Sequence, residues 1–179
     1  MTAPAQRIFT GRVITLDVAD VELPNGRVAS LEIVTHPGGA AVVAVNAANE
    51  VCLLRQYRHV TGGWIWEIPA GKLDGKSPDE IARNELREEA GRRAASWASL
   101  GRMWSSPGVF TEIVHLYLAR DLEAVPADLE PEEVIEVHWV PLGEAVGRAL
   151  SGEIEDAKTV VGLLRTAVRL GLIDIGRVP

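Results

Sequence analysis

Apolar and polar residues alternate along the first stretch of the chain, and the pattern then becomes continuously apolar. Residues 12–23 place β-branched and aliphatic side chains at every second position, the period of a half-buried strand. Pro24-Asn25-Gly26 is a turn signal, and a second strand is expected over residues 27–35, so this region reads as an antiparallel hairpin. His36-Pro37-Gly38-Gly39 breaks the chain. Two apolar runs follow, at residues 41–45 and from Val51 toward Tyr57, separated by the turn-like Asn46-Ala47-Ala48-Asn49. Strands without alternation are buried on both faces, so helices must cover this sheet. Residues 64–68 form a further short strand that stops at Pro69.

Around Ser77 the pattern changes to helical. Ser77 suits the N-cap, Pro78 the first helical position, and Glu80 completes a Ser-x-x-Glu capping box. Gly91, after Ala90, suits a left-handed C-cap. Ala82, Leu86 and Ala90 make the apolar stripe, while Glu85, Glu88 and Glu89 project from another side. Their i, i+3, i+4 spacing brings three carboxylates within about 5–6 Å of one another, where they repel. A hard divalent cation would offset that repulsion and prefers oxygen ligands; a solvated acidic face is the alternative. Without a cation, at least one of the three should titrate high. Strands are expected over residues 98–104, 113–119 and 134–140, and an acidic loop with Pro126 and Pro131 over 122–133. Helices are expected over 142–150 and 157–170. The class is α+β: an α/β/α sandwich, with a mixed β-sheet between helices and an N-terminal antiparallel β-hairpin region.

Composition narrows the function. The 179 residues suffice for one domain, or one with a small appendage, divided here as a hairpin region over 1–38 and a main domain over 39–179. A net charge of −7 and a pI near 5.1 argue against nucleic-acid binding. No apolar run reaches the roughly 18 residues of a membrane span, and the first residues lack the apolar segment of a secretory signal. Cys52, the one cysteine, lies in an apolar run and reads as a buried small hydrophobe. A cytoplasmic setting is expected.

Gly71-Lys72-Leu73-Asp74-Gly75-Lys76-Ser77-Pro78, continuing to Glu85-Leu86-Arg87-Glu88-Glu89-Ala90-Gly91, resembles the Nudix box, G-x5-E-x7-R-E-U-x-E-E-x-G-U with U aliphatic. The E-U-x-E-E-x-G core is complete. Lys76 and Asn84 stand where the signature has its first Glu and its Arg, and the glycine offset is one residue short. Both members of an expected ion pair have changed together, which leaves no buried charge alone. Within the Nudix families, Leu54-Arg55-Gln56-Tyr57-Arg58, Trp66-Glu67-Ile68-Pro69-Ala70-Gly71, Ser106-Pro107-Gly108 and residues 153–159 are similar to the ADP-ribose pyrophosphatases, in that order.

The resemblance implies a Nudix-like fold and a Mg²⁺-dependent pyrophosphatase, with Mn²⁺ as the other suitable cation. The substrate would be a small nucleoside diphosphate compound, ADP-ribose or a related sugar. The resemblance implies the Ala70 carbonyl, Glu85 and Glu89 as metal ligands, with Glu88 beside them. It brings Glu133 to the catalytic position in the loop before the last strand, with Glu132 and Glu130 as alternatives. Arg58 would bind a phosphate, and Glu67, Glu32, Pro107 and Gly108 would contact substrate. It also implies a homodimer in which the N-terminal hairpin is exchanged and helps close the adenosine pocket. Leu31 stands where an aromatic base-stacking residue would be sought, which keeps another nucleotide sugar such as GDP-mannose as an alternative. A binding or sensor module without turnover is a second alternative, resting on Lys76 and Asn84.

Overall fold

In the computed structural model, residues 5–129, 131, 133–174 and 176 are described. Three strands, β1 (Gln6–Thr10), β2 (Thr15–Glu22) and β3 (Val28–Thr35), form an antiparallel sheet of their own. The expected hairpin is therefore β2–β3, and β1 adds a strand along it, pairing Gln6 with Val18 and Thr10 with Thr15. The end of β3 is tied to the loop at 105–112: the Val34 N–H donates to the Val109 carbonyl at 2.8 Å, and the Thr111 N–H to the Val34 carbonyl at 2.9 Å.

The main body holds two further sheets. One has the order β10 (Ile135–Pro141), β5 (Glu50–Arg58), β6 (Gly63–Glu67), all antiparallel. The other has the order β7 (Ala70–Lys72), β4 (Gly39–Ala44), β9 (Ile113–Ala124), β8 (Arg92–Trp104), in which β4 and β9 run parallel and the other pairs antiparallel. Three helices cover them: α1 (Pro78–Ala90), α2 (Leu142–Ser151) and α3 (Ala157–Arg169). Successive side chains of β4 and β5 point to opposite faces, as the strand period requires. Ala40, Val42, Ala44, Cys52 and Leu54 pack with Ile81, Ala82 and Leu86 of α1, whereas Val43, Val45, Val51 and Leu53 pack with Leu142, Leu163 and Ala167 of α2 and α3. Two separate cores on the two faces of one layer make the expected α/β/α sandwich.

Helix α1 begins and ends where its caps predict. The Glu80 N–H donates to Ser77 Oγ at 3.3 Å, the Ser77 N–H to Glu80 Oε2 at 2.9 Å, and Gly91 adopts φ 59°. The hairpin β8–β9 runs longer than expected: β8 starts at Arg92 and β9 continues to Ala124, so residues 122–124 are strand rather than loop. Their side chains are largely solvent-exposed, so the hydrophobic pattern carried little sign of the strand.

Candidate functional site

Helix α1, the β4–β7 edge, the end of β5 and the start of α3 surround one open cavity of about 660 Å³. That is within the range of about 300–1,000 Å³ usual for small-molecule sites. Its two ends differ in charge.

At one end lie Glu85, Glu88 and Glu89 of α1 together with Glu133. Glu89 is 2% exposed and accepts a hydrogen bond from the Ala70 N–H at 2.9 Å. Burial pushes its carboxyl well above the ordinary carboxylate range, the negative charge of Glu85 pushes it further, and Glu133 adds to the effect. The raised titration expected of one clustered glutamate falls on Glu89. Glu133 is thus within electrostatic reach of Glu89, although 44 positions separate them in the chain. Glu85 leans against the backbone of β7: a Cβ on Gly71 would stand 1.7 Å from Glu85 Oε1, so only glycine leaves that carboxylate its place. Glu88 also lines the cavity, but its Oε1 accepts from Arg87, whose guanidinium lies 3.7 Å from Asp128. Among the described residues no three His, Cys, Asp or Glu side chains are close enough to share one ion. The oxygen donors present are nevertheless those of a hard cation: two neighbouring carboxylates, one buried and hard to ionise alone, beside the Ala70 backbone. Such ions keep several waters when protein supplies few ligands. The donor set is therefore of the kind that a hard divalent cation takes.

At the other end Arg58, Lys158 and Asp156 line the cavity. Arg58 donates from Nε to Glu67 Oε1 at 2.7 Å and from Nη2 to Glu67 Oε2 at 3.0 Å. This bidentate fork uses two of the five guanidinium N–H donors and leaves others for a ligand. Burial opposes ionisation of Glu67, but the hydrogen bonds from Arg58 and the charge of Lys158 outweigh it and hold the carboxyl below its usual range.

Ala70, Glu85, Glu88, Glu89, Arg58 and Glu133 all line this one cavity. Four other residues fall elsewhere. Glu67, expected on the substrate, is 2% exposed and absent from the cavity lining, because both its oxygens are engaged by Arg58 and Lys158. Glu32 lies on β3 opposite Val18, in the N-terminal sheet, and Pro107 and Gly108 lie at an exposed turn; none of the three lines the cavity, while Ser105 and Glu112 do. Glu130 and Glu132 lie outside the described residues. Lys76 and Asn84 both line the cavity.

Sequence reasoning missed Lys158, Asp156, His36 and Glu112. His36 Nδ1 accepts from the Gly38 N–H at 3.1 Å and stands 3.3 Å from Glu112 Oε1. The similarity at residues 153–159 was a usable signal for Asp156 and Lys158, since Asp at a helix N-cap with Lys two residues on puts both in the first turn.

A NUDIX domain profile matches residues 35–161. An ADP-ribose pyrophosphatase of Bacillus subtilis is 41% identical over 165 residues, covering 90% of this chain and 89% of that protein. A GDP-mannose pyrophosphatase of Cronobacter sakazakii is 36% identical over 183 residues, covering 95% and 93%. The solved structure of an ADP compounds hydrolase superposes with a TM-score of 0.82 at 23% identity, covering 96% of this chain and 94% of that one, and shares the fold. With a complete E-U-x-E-E-x-G core set on a helix facing a charged cavity, the chain belongs to the Nudix hydrolases.

Proposed function

We propose that this hydrolase cleaves the pyrophosphate of ADP-ribose, adding water across the P–O–P bridge to give AMP and ribose 5-phosphate. The observation that carries the proposal is the single cavity with clustered carboxylates at one end and a forked arginine at the other. A diphosphate needs both. Glu85, Glu89 and the Ala70 carbonyl would hold Mg²⁺, or Mn²⁺ in its place, which would neutralise diphosphate charge and lower the pKa of a water. Arg58 binds a phosphate oxygen through the donors that Glu67 leaves unused, stabilising the charge that develops on the leaving oxygen. Glu133 takes the proton of the attacking water, a role that requires an approach of about 3 Å in the closed complex. Glu88 orients the site from the rim through its contact with Arg87.

The similarity to an ADP-ribose pyrophosphatase supports this substrate, and the similarity to a GDP-mannose pyrophosphatase supports a second. The lack of an aromatic at Leu31 favoured the second. Phe9, however, is 53% exposed on β1 in the same sheet, so an aromatic side chain is available there and that argument weakens. The proposal includes a homodimer formed through the N-terminal region, residues 1–38, docked as an arm on the 39–179 domain. Its support is the apolar surface of that sheet, with Ile8 51%, Val28 64% and Leu31 38% exposed. The chain would work in the cytoplasm, in keeping with its one cysteine being buried and unpaired.

The test is hydrolysis of ADP-ribose and of GDP-mannose at equal concentration with Mg²⁺, with nucleoside monophosphates separated by chromatography. The expected result is kcat/KM for ADP-ribose at least about tenfold above that for GDP-mannose, the margin that about 1.4 kcal/mol of differential transition-state binding provides. The reverse ranking establishes the second substrate. No cleavage of either overturns the substrate class.

A further inference from the structure

The segment Glu67-Ile68-Pro69-Ala70 runs between the two ends of the cavity and is gripped from both sides. On the carboxylate side, the Ala70 N–H donates to Glu89 of α1 at 2.9 Å. On the cationic side, the first turn of α3 holds it twice. The Ile68 N–H donates to Thr159 Oγ1 at 3.0 Å, and Lys158 Nζ donates to Glu67 Oε2 at 2.5 Å. Asp156 sets that turn. Its Oδ2 accepts from the Thr159 N–H at 3.0 Å and from the Thr159 hydroxyl at 2.5 Å, and its Oδ1 lies 3.1 Å from Lys158 Nζ. A Cβ on Gly162 would stand 2.9 Å from Val43 and 3.2 Å from Ile68, so α3 has no slack against the strand layer.

Glu67 is the hub of this arrangement. Arg58 engages both of its oxygens, and Lys158 engages one of them. A carboxylate held only by Arg58 can turn with it. A second cation, fixed to a capped helix, defines the plane of the carboxylate, and the bidentate fork then defines the plane of the guanidinium. Two carboxylates and two cations also cancel, so the group stays ionised although Glu67 is buried.

We propose that Lys158, set in place by Asp156, is a positioning residue for the guanidinium of Arg58 and acts through Glu67, so that the first turn of α3 governs how the diphosphate is gripped. The proposal rests on the assignment of Arg58 to the diphosphate made above. It gives α3 a part in substrate binding as well as in covering the sheet.

A double-mutant cycle between Lys158→Met and Arg58→Lys tests it, since Arg58→Lys keeps the charge at 58 but abolishes the fork. Binding of the non-hydrolysable α,β-methylene analogue of ADP-ribose is measured by calorimetry with Mg²⁺, alongside kcat and KM for ADP-ribose. Lys158→Met should weaken analogue binding about tenfold and raise KM by a similar factor, with a smaller change in kcat. Lys158→Arg should restore binding to within about threefold, because it returns a cation to Glu67. In the Arg58→Lys background, Lys158→Met should cost less than about twofold. A full tenfold loss in that background overturns the positioning role and leaves Lys158 acting independently of Arg58. Undiminished binding by Arg58→Lys alone overturns instead the bidentate assignment of Arg58. If Lys158→Met does not fold, Asp156→Asn, whose side-chain oxygen still caps α3, goes through the same cycle, and additivity there overturns the proposal equally.

Discussion

At the α1 end of the cavity, Glu85, Glu89 and Glu133 repel one another and Glu89 is driven to titrate high. At the α3 end, Glu67 and Asp156 alternate with Arg58 and Lys158, and Glu67 is driven to titrate low. Both Glu67 and Glu89 are 2% exposed, so burial alone does not separate them. What separates them is the balance of neighbouring charge: the hydrogen bonds and charges of Arg58 and Lys158 outweigh burial at Glu67, whereas the charges of Glu85, Glu133 and Glu67 add to it at Glu89. Removing a carboxylate should therefore have opposite consequences for stability at the two ends.

The largest effect is expected at the α1 end. Glu89→Gln keeps an oxygen to accept from the Ala70 N–H but removes a charge that the metal-free protein holds at a loss. Hydrolysis should fall by at least about 10²-fold, the scale on which loss of metal-site groups acts. The thermal midpoint in EDTA should stay level or rise. Wild-type turnover by this variant removes Glu89 from the metal site. A lower midpoint in EDTA would mean that the two ends do not differ as described.

Much of this contrast was legible in the sequence, and unevenly so. The carboxylate end is local: Glu85, Glu88 and Glu89 share one helix whose caps, Ser77, Glu80 and Gly91, can be read within 15 positions. The cationic end is not. Lys158 meets Glu67 across 91 positions, and periodicity cannot see such a contact. Arg58 and Glu67 stand out in the sequence, but the chain does not show that Glu67 is buried and bound by two cations. The fold followed the same rule. Strand β4 and the apolar run at residues 51–54 of β5 are legible almost to their ends, while β1 and the outer half of the β8–β9 hairpin, largely exposed on their side chains, are missed or shortened. Hydrophobic pattern reports burial, and where the backbone ladder holds a strand without burial the pattern is silent.

At the α3 end, Glu67→Gln should act on stability first. It leaves Arg58 and Lys158 without their shared carboxylate. Losing one partner of a fully buried pair costs about 3–5 kcal/mol, and the 40% exposure of the Arg58 side chain reduces this to about 2 kcal/mol. Urea unfolding in EDTA measures it. A loss below about 0.5 kcal/mol would show that solvent, not Glu67, satisfies the two cations. Set beside Glu89→Gln, the variant should move the unfolding midpoint in the opposite direction.

The smallest effect is also the one that compares the ends within a single wild-type protein. Glu67 has its folded pKa depressed, so it contributes stability at pH values above the unfolded carboxyl value of about 4.3, and that contribution is lost as pH falls through the lower folded value. Glu89 has its folded pKa raised. Its folded state binds more protons than the unfolded chain above pH ~4.3, so its contribution is present below that pH and is lost as pH rises through the raised value. Thermal midpoints in EDTA across pH 3–8 should accordingly fall on the acid side because of Glu67 and sag on the neutral side because of Glu89. Glu89→Gln should flatten the neutral limb, and Glu67→Gln the acid limb with a smaller easing of the neutral limb, because the charge of Glu67 also raises Glu89. Mg²⁺ should also flatten the neutral limb, because a cation bound by the ionised glutamates stabilises the form that burial disfavours. If Mg²⁺ leaves that limb unchanged while Glu89→Gln removes it, the carboxylate repulsion is real but Glu89 is not where the cation binds.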